Sequence, residues 1–191
     1  LIRRARDRDD DPLYVVSIGA PTNVASAIKR EPTVVENIVV VWLGGQPLYW
    51  HTAEEFNLQQ DLLASRTLFE SGVPLVQVPC KNVAEHVRTT VPELETYLSG
   101  GGELSEYLLE IFTDHRQHYH DRQVWAKEIW DVAPIAYLLE HEWVPTNLVH
   151  SPRLSDDLRY GHDTSQHFIR VAMDARRDYI FDDFFEKLGG R

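Results

Sequence analysis

An acidic side chain and an amide lie on either side of one aromatic residue in the segment Glu55-Phe56-Asn57. The segment follows an apolar run at residues 37–42 and precedes an amphipathic stretch at residues 61–71. If Phe56 points into the core from an extended backbone, Glu55 and Asn57 point the other way, toward a cleft. A carboxylate accepts hydrogen bonds and an amide both donates and accepts them, so the pair could hold two neighbouring hydroxyl groups. A solvated loop with Glu55 exposed is the alternative.

Trp130-Asp131 is a second candidate, because it stands at the start of a helix predicted over residues 132–140. The Asp131 carboxylate could simply cap that helix. It could instead bind a hard cation such as Ca²⁺, although one aspartate cannot supply the roughly six to eight oxygen ligands that Ca²⁺ takes. Trp130 could belong to the core or could offer a face on which a planar heterocycle stacks.

Three histidines form a third candidate, at His115, His118 and His120. On a helix, His115 and His118 would share a face and could bind Zn²⁺. His120 would point away, and no carboxylate or cysteine completes the set. A mobile polar segment near a site, or an exposed surface, are the alternatives to a metal cluster.

Composition excludes several classes of function. The 191 residues contain 43% hydrophobic and 26% charged residues, which predicts one folded domain over residues 1–191. A formal charge of −11 argues against a nucleic-acid partner. Cys80 is the single cysteine, so no intrachain disulfide can form and the cytoplasm is favoured. No apolar run approaches the roughly 20 residues that cross a bilayer, so no membrane partner is expected.

Apolar β-branched runs alternate with amphipathic stretches, and this pattern predicts an α/β fold with a mostly parallel, open, Rossmann-like sheet flanked by helices. The helix at residues 132–140 is expected to bury Ile135, Leu138 and Leu139. The predicted strands are residues 13–18, 37–42, 74–78, 148–150 and 168–173. The predicted helices are residues 24–30, 61–71, 83–89, 92–98, 104–112, 132–140 and 179–188.

Five motifs in this order resemble those of one family, the inosine-uridine preferring nucleoside hydrolases. The resemblance covers nearly the whole chain, and the order and spacing of the motifs are specific in combination. The motifs are Gly19-Ala20-Pro21-Thr22-Asn23, Val41-Trp42-Leu43-Gly44-Gly45, Glu55-Phe56-Asn57 with Asp61 and Phe69-Glu70-Ser71-Gly72, Trp130-Asp131 with Ala136-Tyr137-Leu138, and residues 174–185.

The resemblance implies a calcium-dependent hydrolysis of the N-glycosidic bond of ribonucleosides. Asp131 would bind Ca²⁺ through its carboxylate and Ile18 through its backbone carbonyl. Glu55 and Asn57 would bind ribose hydroxyls and favour the charge-bearing transition state over the ground state. Trp130 stands where many members of the family have a histidine that protonates the leaving base.

A tryptophan cannot donate that proton, so the resemblance implies activation of the leaving base by stacking on Trp130, as in purine-preferring members, or by another residue. His118, Tyr119 and His120 lie on the segment that covers the base in the family. A nucleoside is the expected small-molecule partner, and a homo-oligomer is expected.

The family opens with a strand that ends in an aspartate-rich calcium motif, and nothing in this sequence matches it. We therefore expect the chain to correspond to the C-terminal part of such a fold, without its N-terminal strands, and to be poorly stable alone because apolar sheet edges would be exposed. One alternative is a non-catalytic module that binds a nucleoside or ribose and has lost the metal cluster. Another is a generic α/β sugar-binding domain that needs no Ca²⁺.

Overall fold

Apolar strands form the centre of the computed structural model, which describes residues 1–7, 11–119 and 124–189, with the backbone alone at residues 118 and 119. Within these residues the strands are β1 (Leu13–Ser17), β2 (Ile38–Leu43), β3 (Leu75–Val78), β4 (Arg88–Thr89), β5 (Lys127–Glu128), β6 (Thr146–His150), β7 (Arg153–Leu154), β8 (Tyr160–Gly161) and β9 (Phe168–Ala172).

Five of these strands form one sheet in the order β1-β2-β3-β9-β6. The first four strands are parallel to one another, and β6 pairs antiparallel with β9. Two antiparallel ribbons, β4-β5 and β7-β8, lie outside this sheet. The predicted α/β fold with a mostly parallel sheet is therefore confirmed, and all five predicted strands occur close to their predicted bounds.

Helices cover both faces of the sheet, which explains why β2 is an unbroken apolar run. The α-helices in the described ranges are α1 (Ile2–Arg6), α2 (Thr22–Arg30), α3 (Phe56–Gln60), α4 (Leu62–Glu70), α5 (Val91–Leu98), α6 (Glu103–Tyr119), α7 (Val132–Leu139) and α8 (Arg177–Gly189). On one face, Val40 and Trp42 of β2 pack with α2 and α4, and on the other, Val41 and Leu43 pack with α5 to α8.

The predicted helix at residues 83–89 is wrong. The segment contains a single 3₁₀ turn at Ala84–His86, after which β4 pairs with β5. The Ile129 amide donates to the Val87 carbonyl over 2.9 Å and extends this pairing. Strand pairing with a distant segment therefore overrides the local helical pattern.

The predicted buried face of α7 is also wrong. Ile135, Leu138 and Leu139 are exposed, Leu139 by 55%, whereas the small residues Ala133 and Ala136 are buried. Small side chains let a helix axis approach the sheet closely, so they form the contact face and the longer apolar side chains point outward. The exposed side of α7 borders an apolar groove of about 600 Å³ that also contacts β1 and α8.

Strand β1 lies at an edge of the sheet. Among the described strands it pairs with β2 alone, and its Tyr14 side chain is 52% exposed. An unpaired edge with apolar side chains is prone to association. The poor stability expected of the isolated chain stays a prediction. None of the described helices combines the length and the apolar character that a bilayer crossing needs.

Candidate functional site

A cavity of about 500 Å³ lies where β1, β2 and β3 end and α7 begins. In open α/β sheets ligands bind outside the carboxyl ends of the strands, and the volume falls in the usual range for small-molecule sites. Ten residues line it: Ile18, Leu43, Gln46, Glu55, Phe56, Asn57, Cys80, Lys81, Trp130 and Asp131.

Five of these ten residues were predicted as site residues from the sequence: Ile18 and Asp131 for the metal, Glu55 and Asn57 for the sugar, and Trp130 for the base. Ile18 follows β1, Glu55 and Asn57 lie at the start of α3, and Trp130-Asp131 form the turn before α7. The structure therefore brings together residues from three separate parts of the chain at one cavity. Their individual roles remain predictions.

Glu55 is held by the backbone around it. Its Oε1 accepts from the Asn57 amide over 3.0 Å, and its Oε2 accepts from the amides of Leu58 and Gly45 over 3.1 and 2.9 Å. Glu55 thus caps α3 and ties the helix to the loop after β2. Because each carboxylate oxygen has two lone pairs, Oε1 keeps room for one further donor.

The orientation assumed for Phe56 is wrong. Phe56 is 70% exposed and lines the cavity, whereas Asn57 is buried. The segment begins a helix at Phe56, so the alternation expected of an extended strand does not apply. Phe56 therefore offers an apolar surface to a ligand, beside the polar groups of Glu55 and Asn57.

The Asn57 amide is oriented by two backbone carbonyls. Its Nδ2 donates to the carbonyl of Leu43 over 2.9 Å and approaches the carbonyl of Ile18 at 3.4 Å. Within the described residues no group donates to Oδ1 of Asn57. The side chain therefore presents an acceptor to the cavity while its donors fix the ends of β1 and β2.

The loop after β2 depends on a contact with β8. Gly45 has φ of 71°, and a Cβ there would lie 2.3 Å from the Tyr160 hydroxyl. That hydroxyl accepts from the Gln46 amide over 3.2 Å and from Gln77 Nε2 over 3.2 Å. Only glycine fits this backbone and this spacing, and the Gly45 amide is thereby aimed at Glu55.

Asp131 occupies the N-cap position of α7 but makes no capping hydrogen bond. No other described residue pairs with its carboxylate, so plain helix capping does not account for this side chain. The residue is exposed as a whole, yet partial burial of the carboxyl group raises its pKa above the ordinary value. The carboxylate is available to a ligand at the cavity wall.

Trp130 belongs partly to the core and partly to the cavity. It packs against the cluster formed by α5 to α8 and also lines the cavity. The Lys81 ammonium lies over its ring, 5.9 Å from the ring centroid. The core interpretation therefore holds for part of the side chain, whereas stacking of a heterocycle on its cavity side stays a prediction.

The cavity offers oxygen ligands that suit Ca²⁺, but the described residues supply few of them. The unpaired Asp131 carboxylate and the Ile18 carbonyl are oxygen ligands of the kind that Ca²⁺ prefers. They would fill two of about six to eight positions. In the part of the chain that the structure describes, no group of three or more histidine, cysteine, aspartate or glutamate side chains could hold a metal ion.

The histidine segment is described only in part. His115 lies on α6 with its ring 6.1 Å from that of Trp125, and it lines a separate apolar cavity. His118 and Tyr119 belong to α6, but their side chains lie outside what the structure describes, and His120 lies outside the described residues. Their suggested role over the base stays a prediction.

Sequence reasoning missed Gln46, Cys80 and Lys81. All three follow the carboxyl ends of parallel strands, Gln46 after β2 and the other two after β3. The rule that pointed to Ile18 could have found them too. Burial, together with the negative charge of Glu55, raises the pKa of the Cys80 thiol far above its ordinary value, so Cys80 is a neutral part of the wall.

Relatives in sequence are ribonucleoside hydrolases. The proteins named pyrimidine-specific ribonucleoside hydrolase RihA from Salmonella paratyphi A and Escherichia coli O1:K1 are each 28% identical to the chain, over 148 and 152 residues. These alignments cover 74% and 76% of this chain and 47% and 48% of the relatives. The chain thus spans about half the length of the curated relatives it matches.

Solved structures share the fold. A plant nucleoside hydrolase, PpNRh1, superposes with a TM-score of 0.82 at 20% identity, over 100% of this chain and 65% of that one. A purine-preferring ribonucleoside hydrolase from Gardnerella vaginalis gives 0.81 at 19% identity, over 99% and 64%. The sequence profile of the family described as inosine-uridine preferring nucleoside hydrolase matches residues 1–181. The resemblance drawn from the motifs is therefore confirmed, and the chain belongs to the inosine-uridine preferring nucleoside hydrolase family.

Proposed function

We propose that this chain forms the nucleoside-binding part of an enzyme that hydrolyses the N-glycosidic bond of ribonucleosides to ribose and free base. One observation carries the proposal. The five residues that the family resemblance implies for this chemistry all line one cavity of suitable size. They are Ile18, Glu55, Asn57, Trp130 and Asp131. The names of the relatives agree with the same reaction class.

In this proposal the sugar lies between the two carboxylates. Asn57 accepts from one ribose hydroxyl through Oδ1, and Glu55 accepts from a neighbouring hydroxyl through Oε1. Cleavage of the C1′–N bond builds positive charge on the sugar ring. The negative charge of Glu55 favours that positive charge more than it favours the neutral ground state, and this difference accelerates the reaction.

We further propose that Ca²⁺ binds at the edge of the cavity between Asp131 and Ile18. Asp131 would contribute its carboxylate and Ile18 its backbone carbonyl, and other oxygen atoms would complete the set. When bound there, Ca²⁺ would orient a water molecule near C1′ and lower its pKa. The support in this chain is a partly buried carboxylate that no described cation neutralises.

Stacking of the base on Trp130 leads to a prediction about whether purine or pyrimidine nucleosides are the better substrates. We propose that purines are favoured because their larger ring system overlaps more of the indole. Stacking contributes about 1–3 kcal/mol per base, so Trp130→Ala should lower kcat/KM for inosine by roughly 5–150-fold. The loss for uridine should be smaller, and Trp130→Phe should keep most of the activity. Equal losses for inosine and uridine in Trp130→Ala would contradict the purine preference.

The first test is direct hydrolysis by the protein as its gene encodes it. Inosine and uridine are incubated separately with and without a calcium chelator, and released ribose is measured as reducing sugar. Release that stops with the chelator and returns with added Ca²⁺ is the expected result. Ribose release that the chelator leaves unchanged would contradict the calcium proposal but would still support the proposed hydrolase activity. A folded protein that releases no ribose from either nucleoside would contradict the hydrolase.

A second candidate function is a non-catalytic module that binds a nucleoside or ribose. It is favoured by the small number of metal ligands that the described residues bring to the cavity. Calorimetric titration with inosine and with ribose separates the two functions. Binding without turnover in the presence of Ca²⁺ would support the module, whereas binding accompanied by ribose release would support the enzyme.

A further inference from the structure

Lys81 is held in a fixed position at the carboxyl end of β3. The Cys80 amide donates to the Gly45 carbonyl over 3.0 Å, and the Lys81 amide donates to Oε1 of Gln46 over 3.2 Å. The next residue, Asn82, has φ of 59°, in the left-handed region that turns the chain away from the sheet. The backbone therefore determines where the Lys81 side chain begins.

The end of the Lys81 side chain is oriented as well. Its Nζ lies 3.1 Å from Oε2 of Glu85, and Oε1 of Glu85 accepts from the Asn82 amide over 2.6 Å. Burial acts to raise the pKa of Glu85, but the Asn82 amide and the Lys81 ammonium outweigh it, so the pKa lies below its ordinary value and the carboxylate stays charged. The ammonium is thereby held over the Trp130 ring.

Lys81 is the one positively charged side chain among the ten residues that line the cavity. The other charged side chains among its ten lining residues are the carboxylates of Glu55 and Asp131. A base that lies against Trp130 would place its ring nitrogens and carbonyl oxygens beside the ammonium. These atoms gain electron density when the C1′–N bond breaks, and a cationic donor makes shorter and stronger hydrogen bonds to such atoms than a neutral one.

We propose that Lys81 is a catalytic residue that stabilises the departing base, in the role that Trp130 cannot fill. This inference rests on the proposed hydrolase. When the C1′–N bond breaks, its electron pair stays on the base, where the Lys81 ammonium donates a hydrogen bond to the charged ring. The water oxygen bonds to C1′, and one hydrogen of that water ends on the base nitrogen. The Lys81–Glu85 pair then serves to aim the donor, whereas an exposed pair adds little to stability.

The test compares two kinds of leaving group. Inosine and uridine release bases that need a hydrogen-bond donor, whereas p-nitrophenyl β-D-ribofuranoside releases an anion that is stable at neutral pH. General acid and donor groups contribute about 10²–10⁴-fold. Lys81→Met should lower kcat/KM for both nucleosides by an amount in that range, and change the aryl riboside rate less than about threefold. Lys81→Arg should recover part of the loss. Lys29→Met, at an exposed lysine on α2, should leave kcat/KM unchanged for all three substrates.

The outcomes separate this inference from the function on which it rests. Equal losses on the nucleosides and the aryl riboside would mean that Lys81 only shapes the cavity, and would overturn the inference. Full activity of Lys81→Met on nucleosides would overturn it as well. A wild-type protein that hydrolyses none of the three substrates would overturn the proposed hydrolase, and the inference with it.

Discussion

Replacing Asp131 by asparagine is expected to lower kcat/KM for inosine by about 10²–10³-fold, the usual cost of removing one electrostatic group from a reacting centre. The substitution keeps the shape of the side chain and removes its charge. Because the carboxylate makes no hydrogen bond to a described residue and is partly desolvated, the variant should melt at or above the wild-type temperature. Steady-state kinetics and thermal unfolding on the same samples measure both effects.

Calcium provides a readout for Asp131 that does not depend on turnover. A ligand that binds only the folded state raises its stability by an amount that grows with ligand concentration. Added Ca²⁺ should therefore raise the melting temperature of the chelator-treated wild type and raise that of Asp131→Asn less. Asp182→Asn, an exposed carboxylate on α8, is the matched control and should behave as the wild type. Unchanged kinetics in a folded Asp131→Asn protein would remove this residue from the reacting centre.

Replacing Glu55 by alanine is expected to damage both the fold and the site. Three backbone amides lose their acceptor, and a buried donor left unpaired costs about 1–3 kcal/mol. In a chain of this size each kcal/mol lowers the melting temperature by about 2–4 °C. Nucleoside binding should also weaken, because the loop after β2 loses its tie to α3.

Two variants separate these effects of Glu55. Glu55→Gln keeps one acceptor oxygen but not the charge, so it should retain more stability than Glu55→Ala and still lose catalytic rate. Glu54→Ala removes the exposed neighbouring carboxylate and should change stability by no more than about 0.5 kcal/mol. Calorimetric titration with inosine and thermal unfolding give the two quantities. A Glu55→Ala protein as stable as Glu54→Ala would contradict the structural role.

The sequence predicted the sheet and the place of the site for one physical reason. Buried parallel strands are unbroken apolar runs, and polar residues just after them gather at one edge. Ile18 after β1 and Glu55 beyond β2 follow this rule and line the same cavity. The rule also covers Cys80 and Lys81, although neither lies in one of the five motifs that resemble the family.

Other details could not be read from the sequence, because they depend on contacts between distant segments. The side chain of Phe56 faces the cavity because Glu55 caps a helix there, and the same carboxylate also accepts from the Gly45 amide at the start of that loop. The segment after Asn82 forms strand β4 because β5 lies beside it. The packing face of α7 is set by how closely the helix approaches the sheet, which a pattern of apolar residues does not specify.

Strand β9 has a consequence for how the protein is made. It lies between β3 and β6, and it pairs with β3 although about half of the chain separates the two. A ribosome that adds about 5–20 residues per second will present β3 with an open edge for several seconds before β9 emerges. Chaperones that shield apolar edges should therefore improve the yield of folded protein. The end of β3, where Cys80 and Lys81 line the cavity, therefore completes its strand pairing only after β9, which lines no part of the cavity, has been synthesised.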